Sequence, residues 1–171
     1  LTRVMRDAGL AKADLLALAL AIVKLDSGDF RLREEAPNQF NTDPGAEAFN
    51  RYENRKDLGN VEAGDGARYK GRGYLQITGR AAYSRLGQAL GLGEQLVQKP
   101  ELALDPVIAS RVLAQFIAER QAELSKNIAA GDFRAVSRTL FGGISQTARL
   151  TELIKAAQPL AQALLSAPTA R

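Results

Sequence analysis

Apolar residues recur at helical spacing over most of the chain. The run Ala13 to Lys24 is rich in leucine and alanine and apolar nearly all round, the pattern of a helix buried in a core. Val107, Ile108, Val112, Leu113, Phe116 and Ile117 recur at helical spacing and are expected in the core, and Asp105-Pro106 ahead of them is a strong helix start. Ala81 to Leu90 predicts a helix that closes at Gly91. Asp132 is placed to cap a helix carrying Phe133, Val136, Thr139 and Leu140, with Gly142 and Gly143 as its stop. Gln146 to Leu165 carries Leu150, Leu153, Ile154, Leu160, Leu164 and Leu165, with a kink expected at Pro159. Shorter elements are predicted as one helical turn from Thr2 to Ala8 and a short helix begun by Asp43-Pro44 and carried by Ala46, Ala48 and Phe49. Gly28 suits the stop of the first long helix, and the tail after Ser166 is expected to be disordered.

The helical pattern fails between Arg51 and Tyr83. This stretch is rich in glycine and basic residues and holds all 4 tyrosines of the chain. A long glycine-rich segment inside a compact domain is usually a functional surface. Asp65-Gly66 reads as a tight hairpin turn, Gly71 and Gly73 allow close backbone approach on either side of Arg72, and Leu75-Gln76-Ile77 alternates like a short strand. Thr78 is placed to cap the helix that Arg80 begins. The segment predicts a small hairpin leading into a helix.

Composition narrows the chemistry. The 171 residues fit one domain, 1–171, able to bury about two-thirds of its unfolded surface. Beginning at Leu1 without a methionine, it fits a trimmed domain or a fragment of a longer protein, so localisation is not legible, and no signal peptide or internal repeat is visible. Cysteine and histidine are both absent, which removes thiol nucleophiles, Ser-His-Asp machinery and the usual zinc sites. If the chain is an enzyme, carboxylates are the expected proton carriers, and glycosidic hydrolysis is the commonest chemistry run on two of them. No metal or cofactor is implied. A net charge of +4 favours an anionic partner such as a bacterial wall, or serves solubility alone. The longest apolar run, Leu15 to Val23, is too short to span a bilayer.

The segment YENRKDLGNVEAGDGARYKGRGYLQITGRAAY resembles the signature of the glycoside hydrolase family 19 chitinases and related phage endolysins, in which a YEGR-like start leads through GN-x-x-x-GDG to GRG-x-x-Q-x-T/S-G-R-x-x-Y. AIVKLDSGDFRLREE resembles the family's A-x-x-x-H-E-S-G-G-F-x-x-x-x-E, where the first glutamate is a general acid and the second assists water. Asp26 falls on the first position, Glu35 on the second, and Leu25 stands where the family has histidine. LFGGISQTARL resembles I-N-G-G-x-N-G-L-A-D-R, with Phe141 and Ser145 in place of the two asparagines.

The resemblance implies a mainly α, lysozyme-like α+β domain with two helical lobes, a small hairpin and a substrate cleft between the lobes. It implies a monomeric hydrolase cutting β-1,4 bonds of peptidoglycan or chitin by an inverting mechanism, whose carboxyls stand about 6.5–9.5 Å apart. Asp26 is then the acid, Glu35 the base or water-orienting group and Thr78 the holder of the catalytic water. Gln76, Tyr74, Arg72, Glu62 and Phe141 are the expected substrate contacts. Each residue also has a plainer reading: a turn or cap for Asp26, a solvated pair with Glu34 for Glu35, a helix cap for Thr78, core packing for Tyr74 and scaffolding for Arg72 and Gln76. Glu34, Glu53 and Glu62 are alternatives to Glu35. Aspartate is shorter than glutamate, and a misplacement of about 1 Å costs roughly a hundredfold in rate. Its ordinary pKa is also about 0.4 lower, the wrong direction for an acid, unless burial raises it.

Two readings remain beside the enzyme. Leu25, Asp26 and Phe141 motivate a glycan- or protein-binding module that keeps the fold without the chemistry. The alternation of basic and aromatic residues in ARYKGRGYLQITGR suggests nucleic-acid binding, but the family signature accounts for the same residues, so no nucleic acid is expected.

Overall fold

A computed structural model describes residues 1–27 and 30–167. The fold is mainly helical, as the apolar periodicity predicts. The chain divides into two compact units, one made of Leu1–Arg31 with Leu113–Arg171 and the other of the continuous segment Leu32–Val112.

The first unit holds α1 (Thr2–Asp7), α2 (Ala13–Ser27), α7 (Gln121–Ala129), α8 (Phe133–Phe141) and α9 (Thr147–Ser166). Leu15, Leu16, Leu18, Ile22 and Val23 of α2 are all buried, in keeping with its all-round apolar sequence. The main neighbour of α2 is α9, whose Leu150, Ile154 and Ala161 are buried, and α7 adds Leu124. Each fully buried leucine contributes about 1.5–3 kcal/mol. Asp132 caps α8 by accepting the Ala135 N–H at 2.9 Å, and Gly142, at φ 69°, ends it. Pro159 lies within α9, which continues on both sides of it. Gly28 and all of the tail beyond Ala167 lie outside the described residues.

Arg6 of α1 ties the unit together at a distance. Its Nη2 donates to the carbonyls of Leu164 at 2.8 Å, Leu165 at 3.0 Å and Ala167 at 3.4 Å, satisfying acceptors that the last turn of α9 leaves open. Arg6→Ala is expected to cost about 1–2 kcal/mol, measured as a shift in the urea midpoint. An unshifted midpoint would mean that these bonds merely replace bonds to water.

The second unit holds α3 (Asp65–Arg68), α4 (Arg80–Ala89) and α5 (Gln95–Gln98), with 3-10 turns at Asn50–Tyr52, Lys56–Leu58 and Pro100–Leu104. Its core gathers Tyr69, Ile77, Tyr83, Leu86, Leu96, Ala103 and Val112. The division between the units falls within α6 (Pro106–Ala118), which starts where expected, the Asp105 carboxylate accepting the Val107 and Ile108 N–H groups at 2.9 Å each.

Four local expectations are corrected here. No hairpin forms among the described residues, where pairing in the segment is limited to the isolated bridges Glu34 to Arg72 and Arg72 to Ile77. Gln76, at φ 50°, is left-handed and breaks the strand-like alternation. Asp65-Gly66 is the first turn of α3 and not a hairpin turn: a Cβ on Gly66 would lie 2.6 Å from the Phe49 carbonyl oxygen, so close approach explains this glycine. The helix expected from Asp43-Pro44 is absent, because Gly45 (φ 77°) and Phe49 (φ 64°) are both left-handed. Asp43 instead accepts from Asn50 Nδ2 at 2.8 Å and Arg51 Nε at 2.7 Å.

Candidate functional site

Glu35 lies in an extended strip whose backbone N–H donates to the Gly71 carbonyl at 2.7 Å. Its Oε1 accepts from Asn41 Nδ2 at 2.8 Å and the Tyr52 hydroxyl at 2.9 Å, and its Oε2 accepts the Gly71 N–H at 3.1 Å. An ionised carboxylate offers about four lone-pair positions, so roughly one is left for a water or ligand. All three donors are neutral and fix the orientation of the group without an ion pair. Burial and the Glu35 carboxylate push the Tyr52 hydroxyl up to about 12, so it remains a donor at neutral pH.

The donors are themselves held. Asn41 is fully buried, and its Oδ1 accepts from the Asn38 N–H and the Thr42 hydroxyl, both at 2.8 Å, while Nδ2 also reaches the Ala36 carbonyl at 3.0 Å. This network determines which way its amide points. A Cβ at position 71 would lie 2.9 Å from Gln76 Oε1 and 3.1 Å from Glu35 Oε2, so any larger residue there would push both side-chain ends aside and loosen the approach of the carboxyl to this backbone N–H.

The neighbouring acid has a different environment. Glu34 accepts from Lys70 Nζ at 3.0 Å and Arg72 Nε at 3.1 Å. The Lys70 hydrogen bond, followed by the charges of Lys70 and Arg72, holds it below the usual carboxylate range despite some burial. Two adjacent glutamates are thus separated in role, Glu34 paired with cations and Glu35 held by neutral donors.

Arg72 is 8% exposed and is bonded within the protein: beside Glu34, its Nη1 donates to the Arg68 carbonyl at 2.8 Å and to the Tyr83 hydroxyl at 3.1 Å. Gln76 directs its Nε2 to the carbonyls of Arg33 at 3.0 Å and Gly73 at 2.9 Å. Glu35, Arg72 and Gln76 are therefore brought together around Gly71, and Tyr74 is half-buried in the same loop. Thr78 does not cap α4. Gly79 holds the cap position, the Arg80 N–H donates to Asn60 Oδ1 at 2.9 Å, and the Thr78 hydroxyl donates to the Gln76 carbonyl at 3.0 Å.

Glu62 belongs to a separate cluster. It is exposed and pairs with Arg80 Nη2 at 2.6 Å, and Arg80 also forms a two-pronged pair with the buried Asp65 at 2.7 and 3.0 Å. Burial alone would raise the Asp65 carboxyl, but Arg80 and the backbone N–H groups of Glu62 and Val61 outweigh it and hold the group low. Asp26 and Phe141 lie in the other unit. Asp26 is in the last turn of α2, where burial raises its carboxyl to about 6. Phe141 ends α8 and is 37% exposed.

The chain is similar, over part of its length, to plant endochitinases. It is 46% identical over 50 residues to an acidic endochitinase (pcht28) of Solanum chilense and 44% identical over 50 residues to an acidic 26 kDa endochitinase of Solanum lycopersicum. Each match covers 29% of this chain and about a fifth of the relative's own length. No protein-family profile matches the chain. Partial similarity to endochitinases supports a chitinase-like glycan hydrolase at that coarse level.

Asn41 and the Tyr52 hydroxyl are the functional partners that sequence reasoning missed. Tyr52 stands in the YEN start of the signature, which does not say what its hydroxyl reaches, and Asn41 carries no local signal beyond a turn rich in asparagine. Among the described residues no group of three or more acidic side chains is arranged to hold a metal ion, and no helix is long and apolar enough to cross a membrane. Chemically, Glu35 is a carboxyl group oriented by three neutral donors, and Asp26 is a carboxylic acid that keeps its proton to higher pH than usual.

Proposed function

We propose that this chain is a glycan hydrolase that cleaves β-1,4 bonds of chitin or bacterial peptidoglycan by an inverting reaction on two carboxylates. The observation that carries the reading is the cradle around Glu35, whose three neutral donors orient a carboxylate while leaving about one acceptor position for water. In this assignment Asp26 protonates the departing oxygen, Glu35 takes the proton of the attacking water and Thr78 helps to hold that water. A carboxyl raised to about 6 suits an acid working near neutrality. The similarity to endochitinases supports the chitin arm, and the net charge of +4 supports an anionic wall.

Mass spectrometry of soluble products tests the proposal, with purified peptidoglycan and chitin oligomers incubated separately beside an Asp26→Asn, Glu35→Gln double variant. Saccharide fragments are expected from at least one polymer and none with the folded double variant. Fragments from neither polymer, with the wild-type protein folded, would overturn the hydrolase reading.

A binding module that has lost catalysis is the second reading. It is favoured by the internal bonding of Arg72 and Gln76, and by Leu25 and Phe141 at positions where the related family has polar groups. Asp26→Glu separates the two: it should speed a slow enzyme and leave a binding module inactive.

A further inference from the structure

Phe40 is the most exposed of the large apolar side chains described, at 77%. Singly exposed apolar residues are ordinary, but this one is carried on an unusually well-fastened turn. The Asn41 and Thr42 N–H groups donate to the Asn38 carbonyl at 3.2 and 2.9 Å. Asn38 Oδ1 accepts the Phe40 N–H at 2.8 Å, and Asn41 Oδ1 accepts the Asn38 N–H at 2.8 Å. The ring is therefore presented to solvent by a backbone already ordered, so little entropy remains to be lost when it is covered. The turn is also continuous with the cradle, because Asn41, which closes it, donates to Glu35 at 2.8 Å.

Beside Phe40 the same turn lines an open depression of about 320 Å³ with Pro37, Asn38, Gln39, Thr42, Asp43 and Pro44. The carboxylate in this lining, Asp43, is already paired with Arg51 at 2.7 Å. The surface offers an aromatic face, two side-chain amides and no uncompensated charge. That combination suits a neutral ring with one apolar face and a polar edge, and is poorly suited to an ionic ligand.

We infer that Phe40 is a stacking platform for an N-acetylated pyranose ring of a β-1,4-linked glycan, with the depression beside it taking the ring's polar edge. The inference rests on the proposed glycan hydrolase and adds a sugar subsite anchored to Glu35 through Asn41. The axial C–H groups of the sugar lie on the phenyl face, while Gln39 serves its hydroxyl and acetamido groups and Asn38, whose Oδ1 accepts the Phe40 N–H and whose Nδ2 donates to the Ala36 carbonyl at 3.1 Å, holds the turn.

The test is calorimetric titration of wild type, Phe40→Ala and Phe40→Trp with a chitin tetramer and, separately, with glycan strands freed of their peptides from peptidoglycan. Product analysis is run in parallel. Phe40→Ala is expected to weaken binding about fivefold to tenfold for the glycan that binds, and Phe40→Trp to restore it. The melting temperature should be unmoved, since the side chain is 77% exposed. Equal affinity of wild type and Phe40→Ala would overturn the platform, as would failure of wild type to bind either oligomer. Weakened binding by Phe40→Ala without fragments from any protein would keep the platform and remove the hydrolase reading. Fragments made by wild type, together with unchanged binding by Phe40→Ala, would do the reverse.

Discussion

Asp26→Asn is expected to stabilise the protein at pH 7 by up to about 3 kcal/mol while removing the proposed hydrolase activity. The Asp26 carboxyl stands at about 6 in the folded chain against an ordinary value of 3.8, with burial as the cause. The folded state therefore binds this proton more tightly than the unfolded state does. The stabilisation is complete below pH 3.8 and is lost as pH rises through about 6. Above that the fold keeps a half-buried charge, and asparagine, of similar shape and neutral, has none. Urea midpoints at pH 4 and pH 7 check this: the variant should match wild type at the lower pH and exceed it at the higher. Matched midpoints at pH 7 would show that the carboxylate is no burden to the fold and would weaken the case for Asp26 as an acid. In product assays the wild-type rate should fall as pH rises above about 6, following the protonated fraction of Asp26.

Asp65→Asn is expected to cost about 3–5 kcal/mol, the usual result of removing one partner from a buried pair. Asp65 is 2% exposed and accepts from both arms of Arg80 and from the N–H groups of Val61 and Glu62 at 3.0 Å each. Its carboxyl is held below the ordinary range, so its contribution is present above that range and disappears as acid titrates the folded group. The gap between variant and wild type should narrow accordingly at low pH. Glu62→Gln is the control: its side chain is 67% exposed, and the loss should stay within about 1 kcal/mol. A comparable loss for the two variants in urea titrations would mean that burial does not set the worth of the pair. The effect should reach Glu35 as well. Asn60 receives the Arg80 N–H and donates to the Tyr52 carbonyl at 2.9 Å, and Tyr52 holds Glu35.

The helices were legible because their causes are local. The all-round apolar run of α2, and the acids Asp105 and Asp132 ahead of α6 and α8, act within a turn or two of their own positions. The irregular segment was harder to read, because the same residue types serve different ends there. Asp65-Gly66 has the sequence of a hairpin turn, whereas Gly66 is small so that the Phe49 carbonyl can approach. Asp43-Pro44 carries a helix-start signal, but the left-handed residues Gly45 and Phe49 prevent the helix and the Asp43 carboxylate is occupied by Asn50 and Arg51. Glu35 could be found from its place in a family pattern. Asn41 could not, since its importance depends on contacts with a carboxylate and a turn that only the folded chain brings together.

The pairing of α2 with α9 has a consequence for the chain while it is being made. About 120 residues separate the end of α2 from the start of α9. At ordinary translation speeds the first helix emerges roughly 6 to 24 s before its main neighbour. Leu32–Val112 is continuous and emerges in between, with its own core. The nascent chain thus carries a leucine-rich helix without its main neighbour throughout that interval, which, more than the irregular loops around Glu35, exposes it to aggregation.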